Sequence, residues 1–123
     1  MEIKSYRDLK VWQAGRLLVR DIYKMTQKFP KAELYGLTSQ MRRAAVSIPS
    51  NIAEGHSRRS TADYINFVSI AVGSLAELDT QLILSVDIGY LSEEEYNTIF
   101  HDIEILQKQL HGLRNSLKER LKS

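Results

Sequence analysis

The sequence predicts an all-α fold, an antiparallel up-down-up-down four-helix bundle formed by one domain over residues 1–123. Apolar residues recur at alternating spacings of three and four in four separate segments, as expected for amphipathic helices. The connections between these segments are short, which favours antiparallel neighbours. Since no stretch alternates apolar and polar residues, no strand is expected. The predicted helices cover roughly residues 8–29, 33–54, 61–88 and 93–121.

The first two predicted helices carry clear boundary signals. An apolar stripe runs from Val11 to Phe29 in the first helix, and Asp8 is its predicted N-cap. The second helix contains Pro49 within its periodic pattern. Because proline removes one backbone donor, we expect this helix to be kinked at Pro49. Gly55 follows the pattern and is expected to end the helix in the left-handed conformation.

The third and fourth predicted helices begin with capping sequences, at Ser60 and Ser92 respectively. The third helix is apolar on more than one face, since it carries residues such as Ile83 outside the stripe from Tyr64 to Leu82. Its own bundle covers one of these faces. A second copy of the chain is therefore expected to cover another.

Composition and motifs exclude several classes of function. The absence of cysteine excludes disulfides and thiolate metal sites and suits a cytoplasmic protein. No apolar run reaches the roughly 20 residues that span a membrane, so no membrane partner is expected. The sequence has neither a Gly-x-Ser-x-Gly elbow nor a glycine-rich phosphate loop.

Histidine spacing argues against a metal-dependent bundle. His56, His101 and His111 do not form the paired Glu-x-x-His motifs that a di-metal bundle requires. We therefore expect no catalytic residues, no metal site and no cofactor. A metalloenzyme is the least favoured alternative.

The net charge of +2 hides a strong segregation along the chain. Residues 1–59 hold 12 basic and 5 acidic side chains, and residues 60–107 hold none basic and 9 acidic. Residues 108–123 hold 5 basic and 1 acidic. Such asymmetry bears on the choice of partner rather than on the fold.

The basic residues of the first two helices suggest nucleic acid as a partner. A row of cations recurs every four residues along about 18 Å of the first helix, at 1.5 Å per residue. Arginine also binds phosphate through two parallel hydrogen bonds. The candidate nucleic-acid-binding residues are Arg16, Arg20, Lys24, Lys28, Arg42, Arg43, Arg58 and Arg59. The alternative is a purely structural or protein-binding bundle, whose charges serve solubility and subunit pairing.

Polar residues surround Pro49 in the second helix. Their simplest role is to satisfy carbonyl groups that the proline leaves without a donor. A second interpretation places Asn51 and Glu54 in a shallow cleft that binds a ligand.

Three sequence segments resemble one protein family. They are GLTSQMRRAAVSIPSNIAEG (residues 36–55), DLKVW (8–12) and SLAEL (74–78). Together they resemble the bacterial four-helix-bundle family, also called the 23S rRNA-intervening sequence protein family. That resemblance implies a homopentameric assembly of four-helix bundles and no established enzymatic activity.

The chain is also similar to the accessory variability determinant of diversity-generating retroelements. This similarity implies RNA or DNA and a reverse transcriptase, or another protein, as partners. By this similarity, Arg16, Arg20, Arg42, Arg43, Arg58 and Arg59 are candidates for the basic contacts. The expected function is thus that of a non-enzymatic, self-assembling scaffold that binds nucleic acid.

Overall fold

The computed structural model describes residues 3–122, and no strand occurs among them. Four long helices form the fold, and the predicted all-α class is confirmed. They are α1 (Lys10–Thr26), α2 (Leu37–His56), α3 (Thr61–Ile88) and α4 (Glu93–Lys122). Two short 3-10 helices lie at Tyr6–Asp8 and Lys31–Glu33.

Helices that follow one another in the chain are neighbours in space. The contact between α2 and α3 is the most extensive, and the one between α1 and α4 is the least extensive. The hydrophobic core runs along the centre of the four packed helices. One fully buried residue from each helix illustrates it: Ile22, Ile48, Leu78 and Ile103. The arrangement is that of an up-down-up-down bundle, as predicted.

The start of α1 differs from the prediction, because Asp8 is not its N-cap. The Ser5 hydroxyl caps the 3-10 helix by accepting the Arg7 N–H at 3.1 Å. The Asp8 carboxylate accepts the Ser5 N–H at 3.2 Å, so Asp8 is the third position of a capping box. Leu9 precedes α1 and makes no side-chain capping bond.

The predicted stop at Gly55 is wrong, since α2 continues through this residue to His56. Gly55 has no positive φ, and Gly89 is the glycine in the left-handed region, at φ 98°, among the described residues. Gly55 serves close packing instead, because a Cβ there would lie 2.8 Å from the Cβ of Phe67 on α3. Pro49 lies inside α2, and the kink stays a prediction.

The predicted caps of α3 and α4 are confirmed. The Ser60 hydroxyl accepts the Asp63 N–H at 3.0 Å. At the start of α4, the Ser92 hydroxyl accepts the Glu95 N–H, and the Glu95 carboxylate accepts the Ser92 N–H, both at 3.0 Å. These reciprocal bonds satisfy donors that have no partner within the helix.

The helix α3 exposes apolar surface outside the core. Its side chains Ile70, Ile83, Leu84 and Ile88 are between 43% and 56% exposed. By length and composition alone this helix would suffice to cross a membrane, a test that core helices of bundles also pass. Its core stripe, which includes Leu78, packs between α2 and α4. Coverage of the outer face by a second copy stays a prediction.

Candidate nucleic-acid interface

The surface between α1 and α2 is the main candidate site. Two surface pockets of about 600 and 450 Å³ share Val46 and together form this α1–α2 groove. Four arginines line it: Arg16, Arg20, Arg42 and Arg43. Four aromatic residues line it as well: Tyr6, Trp12, Tyr23 and Tyr35. None of the described residues in its wall is Asp or Glu.

Helical periodicity explains why these side chains meet. Residues spaced by three or four positions lie on one face of a helix. On α1 this spacing aligns Trp12, Arg16, Val19 and Tyr23. On α2 it aligns Arg42, Val46, Pro49 and Ala53. The two rows border the same groove, because α1 and α2 are antiparallel neighbours.

The side chain of Arg42 is held firmly within the groove. Its Nε donates to the Thr26 hydroxyl at 3.0 Å, and that hydroxyl donates to the Ile22 carbonyl at 2.7 Å. The guanidinium carbon lies 4.6 Å from the centre of the Tyr23 ring. Because a guanidinium carries five donors, its terminal nitrogens can still bind an anion.

The other groove residues are more accessible. Arg16 lies with its guanidinium carbon 5.8 Å from the Trp12 ring centre, and Arg43 is exposed at the rim. Tyr35 is 93% exposed, so both faces of its ring are open to solvent. The groove therefore combines a hydrogen-bonded arginine, two exposed arginines and an open aromatic ring.

The predicted row of cations on α1 does not stay on one surface. A step of four residues turns a helix by roughly 40°, so three steps rotate the row by roughly 120°. Arg16 borders the α1–α2 groove, whereas Lys24 and Lys28 line a pocket between α1 and α4. That second pocket also contains Asp21, Glu95 and Asp102, which offset the two lysines.

The pKa of Glu95 shows an electrostatic interaction across the α1–α4 pocket. Hydrogen bonds from Ser92 hold the pKa of Glu95 below its usual value, and the charge of Lys28 adds a smaller effect. The lysines thus face carboxylates of α4 rather than an open basic surface.

Arg58 and Arg59 lie beyond the end of the α1–α2 groove that is remote from Arg42, since Ala53, five residues before Arg58, lines that groove together with Arg16. They border a pocket of about 340 Å³, here called the end pocket, where α2 ends and α3 begins. Sixteen residues separate Arg42 from Arg58, which corresponds to roughly 24 Å along a helix. The eight predicted residues therefore fall into three places: the α1–α2 groove, the α1–α4 side and the end pocket. Arg20 lies between the first two, because it also lines a pocket with Asp21 and Asp102 on the α1–α4 side.

The predicted cleft residues are engaged in internal contacts. Asn51 donates to the Ser47 carbonyl at 2.7 Å and to the Ser47 hydroxyl at 2.9 Å. The Ser47 hydroxyl is 2.8 Å from that of Ser74, which links α2 to α3. Glu54 lies 3.8 Å from Arg58. Neither Asn51 nor Glu54 lines the pockets described above, and their cleft role stays a prediction.

The aromatic residues of the α1–α2 groove were not predicted from the sequence as part of a site. Trp12 and Tyr23 are interpreted from periodicity alone as part of the apolar stripe of the first helix, and Tyr35 falls near the start of the second predicted helix. Their spacing relative to arginines is the signal that identifies them, since Trp12 precedes Arg16 by four residues and Tyr23 follows it by seven. Within residues 3–122, no group of three or more His, Cys, Asp or Glu side chains is placed to hold a metal.

Comparisons with known proteins identify the family. A model described as "23S rRNA-intervening sequence protein" matches residues 7–112. One similar solved structure is the crystal structure of a protein with unknown function from the S23 ribosomal protein family of Bacteroides thetaiotaomicron. It has a TM-score of 0.79 and 24% identity, and the match covers 85% of this chain and 95% of that chain. At this identity the likeness shows the fold alone. A comparison with curated proteins finds no match. Because the family model spans most of the sequence, the chain belongs to the 23S rRNA-intervening sequence protein family.

Proposed function

We propose that this protein is a non-enzymatic, self-assembling bundle that binds single-stranded RNA or DNA along the α1–α2 groove. One observation supports this most strongly. The groove combines four arginines with four aromatic residues and has no carboxylate among the described residues of its wall. Single strands are bound by surfaces of this composition, in which cations track the backbone and aromatic rings stack on bases.

The dimensions of the groove suit an extended strand. Trp12 and Tyr23 are eleven residues apart on α1, so the groove follows roughly 17 Å of helix. Arg16 and Arg43 are exposed and free to follow phosphates, while Tyr35 offers an open ring for a base. Recognition would rest on backbone and stacking, so little sequence preference is expected.

Self-assembly is supported by the exposed apolar face of α3. Its members Ile70, Leu84 and Ile88 are on a helix other than the two that border the α1–α2 groove, so one chain has separate surfaces for a second copy and for a nucleic acid. The number five comes from the family resemblance, and a pentamer would have five times the chain mass of 14.1 kDa. We assign the assembly to the cytoplasm on the basis of its cysteine-free composition.

A protein partner for the groove, such as a reverse transcriptase, is the competing proposal. Arginine, tryptophan and tyrosine also dominate the energetic centres of protein interfaces. The two proposals differ in how strongly the binding affinity should fall with salt concentration, and nucleic acid predicts a steep fall. Each phosphate contact to a single strand contributes about −0.7 to the slope of log affinity against log salt.

The test is fluorescence anisotropy with a labelled single-stranded RNA at several salt concentrations. The double variant Arg16→Gln/Arg43→Gln removes two exposed groove cations, and we expect weaker binding with a salt slope reduced by about 1.4. The matched control is Lys24→Gln/Lys28→Gln. It removes the same charge, from α1 and from the turn that follows it, but in the carboxylate-lined α1–α4 pocket, and we expect a smaller loss.

Two outcomes would contradict this proposal. One is the absence of RNA and DNA binding at low salt by folded, assembled protein. The other is an equal loss of affinity in both double variants, which would show that net charge alone controls binding. A groove that serves a protein partner would give the first outcome.

A further inference from the structure

The outer surface of α3 carries an apolar stripe, here called the α3 stripe. Its members Ile70, Leu84 and Ile88 are each about half exposed. Ile70 and Leu84 are fourteen residues apart, which is roughly four helical turns, and Ile88 follows Leu84 by about one more turn. The three side chains therefore lie on one side of the helix, outside the core of their own bundle.

Gly73 lies within this stripe, one turn after Ile70. Glycine in the interior of a helix lowers its stability, and a Cβ at Gly73 would meet no atom within 4 Å. Gly112 on α4 is equally open, but its helical neighbours Lys108 and Ser116 are polar. Packing within the chain does not explain Gly73, whereas its position beside Ile70 leaves a hollow that a side chain from a second molecule can enter.

The charge of α3 restricts which surface fits the stripe. The helix contains four acidic residues and no basic one, and Asp63, Glu77 and Asp87 are exposed. Two α3 helices packed against each other would bring only like charges together, which opposes contact. The complementary surface must therefore supply cations, and it must come from outside residues 60–107, which hold no basic side chain.

The outer surface of α1 has the complementary character. Exposed residues recur there at spacings of four, three and four and form the α1 outer ridge: Gln13, Leu17, Arg20 and Lys24. Leu17 is 54% exposed. Arg20 and Lys24 make no hydrogen bond or ion pair with any residue that the structure describes, although Asp21 and Asp102 line the same pocket. Both cations can therefore pair with acids of a second copy.

The α1–α2 groove is also basic, but its shape suits the α3 stripe less well. The groove is concave, and its Arg42 is already hydrogen-bonded to Thr26. The hollow at Gly73 requires a projecting apolar side chain, and the half-exposed Leu17 is one. Shape and charge together favour the α1 outer ridge.

We propose that the α1 outer ridge of one copy packs against the α3 stripe of a second copy, with Leu17 placed at Gly73. Arg20 follows Leu17 by about one turn and Glu77 follows Gly73 by about one turn, so these two charges pair when the helices run in the same direction. This inference rests on the self-assembly proposed above and identifies the two surfaces that meet. Because they differ, the contact is heterologous, and repeating it builds a ring or a filament.

The contact leaves the α1–α2 groove accessible. Leu17 lines a pocket with Ile105 on the α4 side of α1. Trp12 and Val19 line the groove on the other side of the same helix. A second copy on the ridge and a nucleic-acid strand in the groove therefore occupy different sides of α1.

Two variants that each block one surface test the proposal by light scattering. Leu84→Lys places a cation in the α3 stripe, and Leu17→Glu places an acid in the α1 outer ridge. Each variant alone should be a monomer of 14.1 kDa at a concentration where the parent assembles. An equal mixture of the two should form a dimer of twice that mass, because each variant keeps the surface that the other lacks.

The matched controls are Leu121→Lys and Leu121→Glu. Leu121 is a similarly exposed leucine in the last turn of α4, outside both surfaces, and its replacement should leave the mass of the assembly unchanged. Circular dichroism should show the parent helix content in all four variants, since every replaced side chain is exposed.

Three outcomes would overturn the proposal. A monomeric parent would refute both this contact and self-assembly. Assembly that survives Leu17→Glu but not Leu84→Lys would show that α3 binds some other surface. The absence of a dimer in the mixture would show that the two surfaces do not bind each other. The last two outcomes leave self-assembly standing, and RNA anisotropy with the monomeric variants tests the groove separately.

Discussion

Replacing Gly55 by alanine tests the close approach of α2 to α3. A Cβ at this position would lie 2.8 Å from the Phe67 Cβ, 2.9 Å from the Tyr64 Cδ1 and 3.3 Å from the Tyr64 carbonyl oxygen. Carbon atoms are in optimal contact at roughly 3.5–4.0 Å, so the added methyl would overlap Phe67 by about 1 Å. The Phe67 Cβ is fixed to the backbone and cannot rotate away. Relief therefore requires the two helices to move apart.

The expected magnitude follows from two opposing effects. Overpacking of a tight core costs about 1–3 kcal/mol, whereas replacing glycine by alanine within a helix gains about 1 kcal/mol. Gly112 on α4 is a matched control, because a Cβ there would meet no atom within 4 Å. The helix propensity gain is common to both changes. Gly55→Ala should therefore be about 1–3 kcal/mol less stable than Gly112→Ala.

The assay is urea denaturation followed by circular dichroism, at one fixed protein concentration because assembly would alter the apparent stability. We expect Gly112→Ala to unfold at a higher urea concentration than the parent and Gly55→Ala at a lower one. If both variants were equally stabilised, the tight contact of Gly55 with Phe67 would be refuted.

Three further predictions concern single side chains. Tyr35→Ala should weaken single-stranded RNA binding by roughly 5- to 160-fold, because a stacked base contributes about 1–3 kcal/mol. The free energy of unfolding should not change, since Tyr35 is 93% exposed. An unchanged RNA affinity in the anisotropy assay would contradict base stacking on Tyr35. Tyr96 donates to Asp79 at 2.7 Å, and burial, this bond and the Asp79 charge raise the pKa of Tyr96 to about 12. Because the pKa of Tyr96 is higher in the folded protein than in the unfolded chain, its protonated hydroxyl contributes fully to the free energy of unfolding below about pH 10. This contribution is lost as the pH rises towards 12. Urea denaturation at several pH values should show a smaller loss of stability in Tyr96→Phe. Ser92→Ala should lower the free energy of unfolding by about 1 kcal/mol, because the Glu95 N–H loses its cap, and an unchanged urea midpoint would contradict this.

Most of the fold was predictable, because the signals that define it are local. The periodic stripes and the caps at Ser60 and Ser92 need only a few neighbouring residues, and all of them were confirmed. Gly55 was misassigned because its role depends on Phe67 of another helix. A glycine at the end of a pattern indicates a stop in isolation, whereas close helix packing can be recognised only when the neighbour is known.

The candidate site was predicted less well, for two geometric reasons. A spacing of four drifts around a helix, so Arg16 and Lys28 face different grooves although the sequence places them in one row. In addition, Tyr35 lies in a connection whose position depends on how α1 and α2 pack. The arginines could be identified from the sequence, but their combination with aromatic rings and the exclusion of carboxylates required the fold.

Ultraviolet crosslinking of the protein to a single-stranded RNA, with the modified residues mapped by mass spectrometry, tests the α1–α2 groove most directly. We expect crosslinks to concentrate on Tyr35 and Trp12, which border the groove and carry aromatic rings suited to stacking on bases. Arg16→Gln/Arg43→Gln should reduce their yield. Crosslinks that map instead to the outer faces of α3 and α4, with none on the groove residues, would contradict a nucleic-acid interface between α1 and α2.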